Sequence, residues 1–148
     1  MLDVLACVED VAARLEPVAA RHHIALVPTG DHAKILGVPR LLDEIVYNLC
    51  DNAVKYNVDG GSVTISVIEK EHEVLLQVRD TGIGIAKEHQ NRVFERFYRV
   101  DKSHSKEIGG TGLGLSIVKH AAMVLGATVE LDSVPGKGTT VTIRFPHP

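Results

Sequence analysis

Apolar residues along the chain alternate between two spacings, one helical and one extended. Leu5, Val8, Val11, Ala12, Leu15 and Val18 recur at helical intervals and predict a first helix from Leu2 to about Arg21, which Pro17 should bend or end early. Short strands are expected at Ile24–Val27 and Lys34–Leu36, around a turn at Pro28-Thr-Gly-Asp31. The strongest helical stretch runs from Val38 to Tyr56, with Leu41, Leu42, Ile45, Val46, Leu49 and Ala53 on one face. Val63–Ile68 and Val74–Val78 alternate in β-branched fashion and should pair as a hairpin through Glu69-Lys-Glu-His72. A short helix around Lys87–Phe97 precedes the polar run Asp101–Glu107, which has no periodicity and is expected to be a mobile loop. Leu113–Leu125 is helical again and is stopped by Gly126. Val129–Leu131 and Thr139–Phe145 read as two last strands around Pro135-Gly-Lys-Gly138. Hairpins dominate over crossovers. The expected fold is therefore α+β: a two-layer sandwich with a mixed, mostly antiparallel sheet of about five strands and helices on one face.

Composition narrows the class without naming it. A chain of 148 residues with 45% hydrophobic and 24% charged residues suits one domain spanning 1–148 with a real core. A net charge of −3 gives no electrostatic reason to expect nucleic acid or an anionic membrane. No apolar run reaches 18 residues, and no signal-type segment or lipidation motif occurs. Cys7 and Cys50 lie far apart in helical segments and are expected to be free, buried thiols in a reducing compartment. Met1-Leu2 opens abruptly on a helix, as a piece of a longer protein would.

Three segments carry candidate chemistry. On the Val38–Tyr56 helix, Glu44, Asn48, Asn52 and Lys55 form a polar stripe beside the apolar face. Taken alone, this stripe is equally the exposed edge of an ordinary helix. Its amide oxygens could also ligate a hard cation such as Mg²⁺, with Lys55 meeting phosphate one turn on. Asp80-Thr-Gly82-Ile-Gly84 directly follows a strand. It is either a strand-ending turn or a place where backbone approaches a planar ligand while Asp80 accepts a hydrogen bond from an exocyclic amine. Gly109–Leu115 leads from the polar run into a helix, where amides and glycines suit an anion. The spacing of Gly110, Gly112 and Gly114 is not the dinucleotide-binding fingerprint, and no P-loop pattern occurs anywhere.

Read in order, four motifs resemble those of sensor histidine kinases. Asn48-Leu-x-x-Asn52-Ala-x-Lys55-Tyr56 is similar to the N box and Asp80-x-Gly82-x-Gly84 to the G1 box. Phe94-Glu-Arg-Phe97-Tyr-Arg99 is similar to the F box and Gly110-Thr-Gly112-Leu-Gly114-Leu115 to the G2 box. The resemblance covers roughly residues 1–146 and implies the catalytic, ATP-binding module, with the histidine kinase-like ATPase fold. It implies Mg²⁺ held by Asn52, with Asn48 beside the metal or its water, and ATP as cofactor. Lys55 would approach the phosphates, Tyr56 would flank adenine, and Asp80 would receive the adenine amine. Gly82 and Gly84 would shape the floor, with Ile85 beside them. Arg99, with Arg96, would reach the phosphates from a lid at 98–111, which Phe94 and Phe97 would anchor. Gly110, Thr111, Gly112, Leu113, Gly114 and Leu115 would hinge that lid and give amides to phosphate. Thr140 would back the adenine through water.

One residue discriminates within the wider superfamily, whose hydrolysing members commonly carry Glu where Asn48 stands. An amide cannot take a proton from water at neutral pH, so Asn48 favours phosphoryl transfer to an external nucleophile over hydrolysis. The resemblance implies a protein-histidine kinase with Asn48, Lys55 and Arg99 at the reacting phosphate. The family's phosphoacceptor histidine box is absent: His22, His23, His104 and His120 lack its context. The acceptor is then expected on a missing dimerisation domain, preceding the helix at 1–22, with a response-regulator receiver domain engaged indirectly. Alternatives are an anti-sigma-factor-type serine kinase, or a nucleotide-gated binding module without transfer. The domain is expected to be a cytoplasmic monomer with no membrane contact of its own, from a parent anchored in the inner or plasma membrane.

Overall fold

The computed structural model describes residues 1–90, 92–95 and 114–148. Helix α1 (Val4–Arg21) begins at Asp3, whose carboxylate accepts a hydrogen bond from the Ala6 amide at 3.1 Å. It buries Val4, Leu5, Val8, Val11, Ala12, Leu15 and Ala19. Pro17 lies inside it without ending it, and the helix runs to Arg21 as its periodicity predicts. At the far end the chain turns through His23, at φ 56°, and the Ile24 amide closes the cap on the Ala19 carbonyl at 2.9 Å. Helix α2 (Pro39–Lys55) starts with proline at its first turn, where a missing N–H costs nothing. Its buried arc is wider than the sequence pattern showed, taking in Cys50 and Val54, because α2 packs on α1, on the sheet and on helix α4 (Gly114–Val124). A one-turn helix, α3 (Lys87–Gln90), lies between α2 and α4 in the chain.

The main sheet has five strands in the order β2-β4-β5-β7-β6. These are β2 (Ala25–Gly30), β4 (Ser62–Glu69), β5 (Glu73–Asp80), β6 (Thr128–Val134) and β7 (Gly138–Pro146). Only β2 and β4 run parallel; the other neighbours are antiparallel. The β4–β5 hairpin forms as its alternation predicts, with Ile65 opposite Val78 and Val67 opposite Leu76. Val63, Ile65, Val67, Val74, Leu76, Val78, Val141, Ile143 and Phe145 face the helices and make one core with them. The other face carries Thr64, Ser66, Gln77, Arg79, Thr140 and Arg144, so the sheet is covered on one side, as expected.

Two local features differ from the sequence reading. Pro28-Thr29-Gly30 continues β2 and the chain turns only at Asp31, whose amide donates to Val67 O at 2.8 Å. Proline is tolerated there because β2 is an edge strand. A second, two-stranded sheet joins β1 (Leu2–Asp3) to β3 (Lys34–Ile35), so the chain starts on a strand before α1. Both strands are too short for periodicity to reveal.

Candidate functional site

The C-terminal half of α2, the turn after β5 and the start of α4 meet at one end of the sandwich. Asn48 is half-buried, and its Nδ2 donates to the Glu44 carbonyl at 2.7 Å. That bond orients the amide and leaves Oδ1, the atom a hard cation prefers, turned toward α4. A side-chain carbon at position 114 would lie 3.5 Å from Asn48 Oδ1 and from both terminal atoms of the Asn52 amide. Both amides of the polar stripe therefore converge on the first residue of a helix whose leading N–H groups suit an anion. Gly114, Val118 and Ala121 recur on one face of α4, and burial of Val118, Ala121 and Ala122 seats that helix on α2. Lys55 points along its own helix and pairs with Asp51 at 3.0 Å rather than with the asparagines. Glu44 is taken up by Arg40 at 2.9 Å.

On the other side stands the Asp80 turn. Asp80 Oδ1 accepts the Gly82 amide at 2.9 Å and the Thr139 amide at 3.2 Å, while Oδ2 takes no hydrogen bond from any described residue. Burial pushes the carboxyl above its ordinary value, and the two amide bonds work against that. Backbone amides thus fix one oxygen, and with it the orientation of the carboxylate. Gly82 is buried, and a Cβ there would lie 2.4 Å from the Tyr56 carbonyl and 3.0 Å from Asn57 Cα, so any side chain would strike the end of α2. Ile83 donates its amide to the Tyr56 carbonyl at 3.2 Å, which locks the turn to the same helix end that carries Asn52. Asn57 adds to that joint: its Nδ2 donates to Ser62 O at 3.0 Å and its Oδ1 accepts from Thr81 Oγ1 at 3.2 Å.

Gly84 has a different task from the one the sequence suggests. It adopts φ 74° with the Val134 carbonyl where a Cβ would stand, so it serves the packing of the turn on the β6–β7 hairpin. Ile85 donates its amide to Ser133 Oγ at 2.8 Å. Thr140 is misplaced by the sequence reading. It lies opposite Arg79 and Asp132, on the sheet face away from the helices. Thr139 is the residue opposite Asp80, on Asp80's own face. The strand alternation held the signal: Val141, Ile143 and Phe145 face inward, so Thr139 does too. Ser133, Asn57 and Gln90 belong to no motif, so the sequence gives no signal for them.

Leu115 and Tyr56 are half-buried beside this region, and Phe94 is half-buried next to the buried Val93. Arg96, Phe97, Arg99, Gly110, Thr111, Gly112, Leu113 and the lid expected at 98–111 lie outside the described residues.

Residues 37–148 match the family of histidine kinase-, DNA gyrase B- and HSP90-like ATPases. The chain belongs to that family. It is 42% identical over 149 residues to the sensor-like histidine kinase SenX3 of Mycolicibacterium smegmatis, covering 99% of this chain and 38% of SenX3. The chain thus spans well under half the length of that relative. Among solved structures, the mycobacterial sensor histidine kinase MprB superposes with a TM-score of 0.83 at 28% identity, covering 99% of this chain and 97% of that one. Full-length ShkA in complex with AMPPNP also superposes at 0.83 and 28% identity, over 98% of this chain and 30% of that one. The fold is that of a histidine kinase catalytic, ATP-binding domain, and the family implies ATP binding.

Proposed function

We propose that this domain binds Mg-ATP and passes its γ-phosphoryl group to a histidine on a separate helical dimerisation domain, in two-component signalling. The observation that carries this reading is the convergence of Asn48, Asn52 and Gly114 on one side, with the backbone-held carboxylate of Asp80 on the other. Adenine would lie at Asp80, its exocyclic amine donating to Oδ2. The triphosphate would run toward the first turn of α4. Asn52 and Asn48 supply neutral oxygens, which suit a cation already bound to phosphate oxygens. When bound, the metal would neutralise charge developing on the phosphates. Lys55 must leave Asp51 to reach phosphate, a small cost because that pair is partly exposed.

At Asn48 no side chain can take a proton from water, so the site would hold the γ-phosphoryl for an incoming imidazole nitrogen. The P–O bond to ADP would break as the P–N bond forms, with positioning and charge stabilisation lowering the barrier. Arg99 would join from the segment at 98–111. The relatives named above are sensor histidine kinases, which favours a histidine acceptor over a serine. On this reading the helix at 1–22 follows the acceptor domain, a receiver domain takes the phosphoryl group next, and the domain works in the cytoplasm as a monomeric unit of a membrane-anchored parent. No helix among the described residues is long and apolar enough to cross a membrane.

The test is transfer itself. The domain is mixed with γ-labelled ATP, Mg²⁺ and a helical acceptor domain from a related sensor kinase. The expected product is acid-labile, alkali-stable label on the acceptor histidine. Nucleotide binding without any transfer, with an acceptor known to be competent, would reduce the domain to a nucleotide-gated binding module.

A further inference from the structure

We infer that Gln90 and Ser133, outside every motif, are positioning residues that set base selectivity by holding the adenine-side turn in place. The inference rests on adenine lying at Asp80. Gln90, the last residue of α3, donates from Nε2 to Ile85 O at 2.8 Å and to Ser133 O at 3.0 Å. Both partners are carbonyls, so only the NH₂ group of the amide satisfies them, and the orientation of the side chain is fixed. Ser133 in turn accepts the Ile85 amide at 2.8 Å, donates to Gly138 O at 2.9 Å and lies 2.8 Å from Thr139 Oγ1. Thr139 then donates its amide to Asp80 Oδ1 at 3.2 Å. A continuous set of hydrogen bonds therefore runs from α3 through the β6–β7 hairpin to the carboxylate.

The same set closes the turn around itself. Ile83 donates to Tyr56 O at 3.2 Å and accepts from Gly136 at 2.8 Å, while Gly82 donates to Asp80. Between residues 82 and 85 the backbone is tied at five points before any ligand arrives, three of them to the β6–β7 hairpin or to Gln90. Preorganisation of this kind sharpens discrimination, because the wall cannot shift to accept guanine, which offers a carbonyl where adenine offers an amine. Removing Gln90 frees two carbonyls and slackens the wall without touching the phosphate end.

The experiment titrates the chain with ATP, GTP and inorganic tripolyphosphate in the presence of Mg²⁺. It compares the unaltered protein with Gln90→Met, which keeps the volume and loses the donor, with Ser133→Ala, and with Ser133→Thr, which keeps the hydroxyl. The expected result is an ATP affinity lower by about tenfold and a reduced ATP-over-GTP ratio in Gln90→Met and Ser133→Ala, the scale of one or two lost hydrogen bonds. Tripolyphosphate affinity should hold, and Ser133→Thr should restore selectivity. An unchanged ATP-over-GTP ratio in Gln90→Met overturns the inference and leaves the nucleotide reading intact. Parallel losses for ATP and tripolyphosphate, with a lowered melting temperature, overturn it in favour of a general structural role. Equal binding of ATP and GTP by the unaltered protein removes the adenine contact at Asp80 and this inference with it, whereas no nucleotide binding at all removes the proposed function.

Discussion

On the proposed reading, Asp80 serves the fold with one oxygen and the ligand with the other. Oδ1 belongs to the turn, through Gly82 and Thr139, and Oδ2 is left for a donor. Leaving a carboxylate half-buried has a cost, visible in a carboxyl held above its ordinary value by burial. The sign follows. A raised folded value adds stability that is fully present below the ordinary value of 3.8 and is lost as pH rises through the folded one. At neutral pH the charge therefore works against folding. Asp80→Asn, which can still accept both amides, should raise the melting temperature of the nucleotide-free domain while weakening ATP binding by about tenfold, the scale of a charge-assisted hydrogen bond. Thermal scans and calorimetric titration check the two halves separately. Acidification should weaken ATP binding of the unaltered protein as Asp80 takes up its proton, and this loss should vanish in the Asn variant. The carboxylate and both asparagines were legible in the sequence because their neighbours form a motif. Thr139 was legible too, but only by counting alternation back from Val141.

Among the elements, α4 does the positioning that no single residue could. Its small residues, Ala121 and Ala122, are fully buried and let it approach α2 closely enough for Gly114 to meet both asparagines. Ala122→Leu should overpack that contact, costing ~1–3 kcal/mol of stability. It should also lower affinity for Mg-ATP and tripolyphosphate alike, because α4 would stand off the amides. Denaturant unfolding and tripolyphosphate titration would show this; unchanged phosphate affinity would mean the start of α4 does not belong to the site. Helices α1, α2 and α4 and the β4–β5 and β6–β7 hairpins were readable because each buries one periodic face. What periodicity could not show was length-limited or tertiary: the two-residue strands β1 and β3, the continuation of β2 through Pro28, and the breadth of the buried arc on α2. Pro17 does not end α1 early, since burial of Leu15 and Ala19 carries the helix past it.

Across the whole molecule, the sheet and α2 form a frame from which the Asp80 turn and the amides project. Among the described residues no charged side chain is buried, and the one buried polar side chain, Thr142, lies beside Gln77 on the sheet face away from the helices. Cys7 and Cys50 are free, with burial pushing their thiols up to about 11 and about 12, so neither is a ready nucleophile at neutral pH. Cys7 is only half-buried, a small departure from the sequence reading. On the proposed reading, α2, the Asp80 turn and α4 make a metal-dependent adenine-nucleotide site. Calorimetric titration of the chain with ATP, with and without Mg²⁺, beside the same titration of Asn52→Ala, tests it most directly. One site should appear, favouring ATP over GTP, weakened about tenfold or more by chelating the metal or by losing the Asn52 amide, with the fold of the variant intact. Equal affinity in Asn52→Ala and unaltered protein, or no binding of ATP at all, would contradict it.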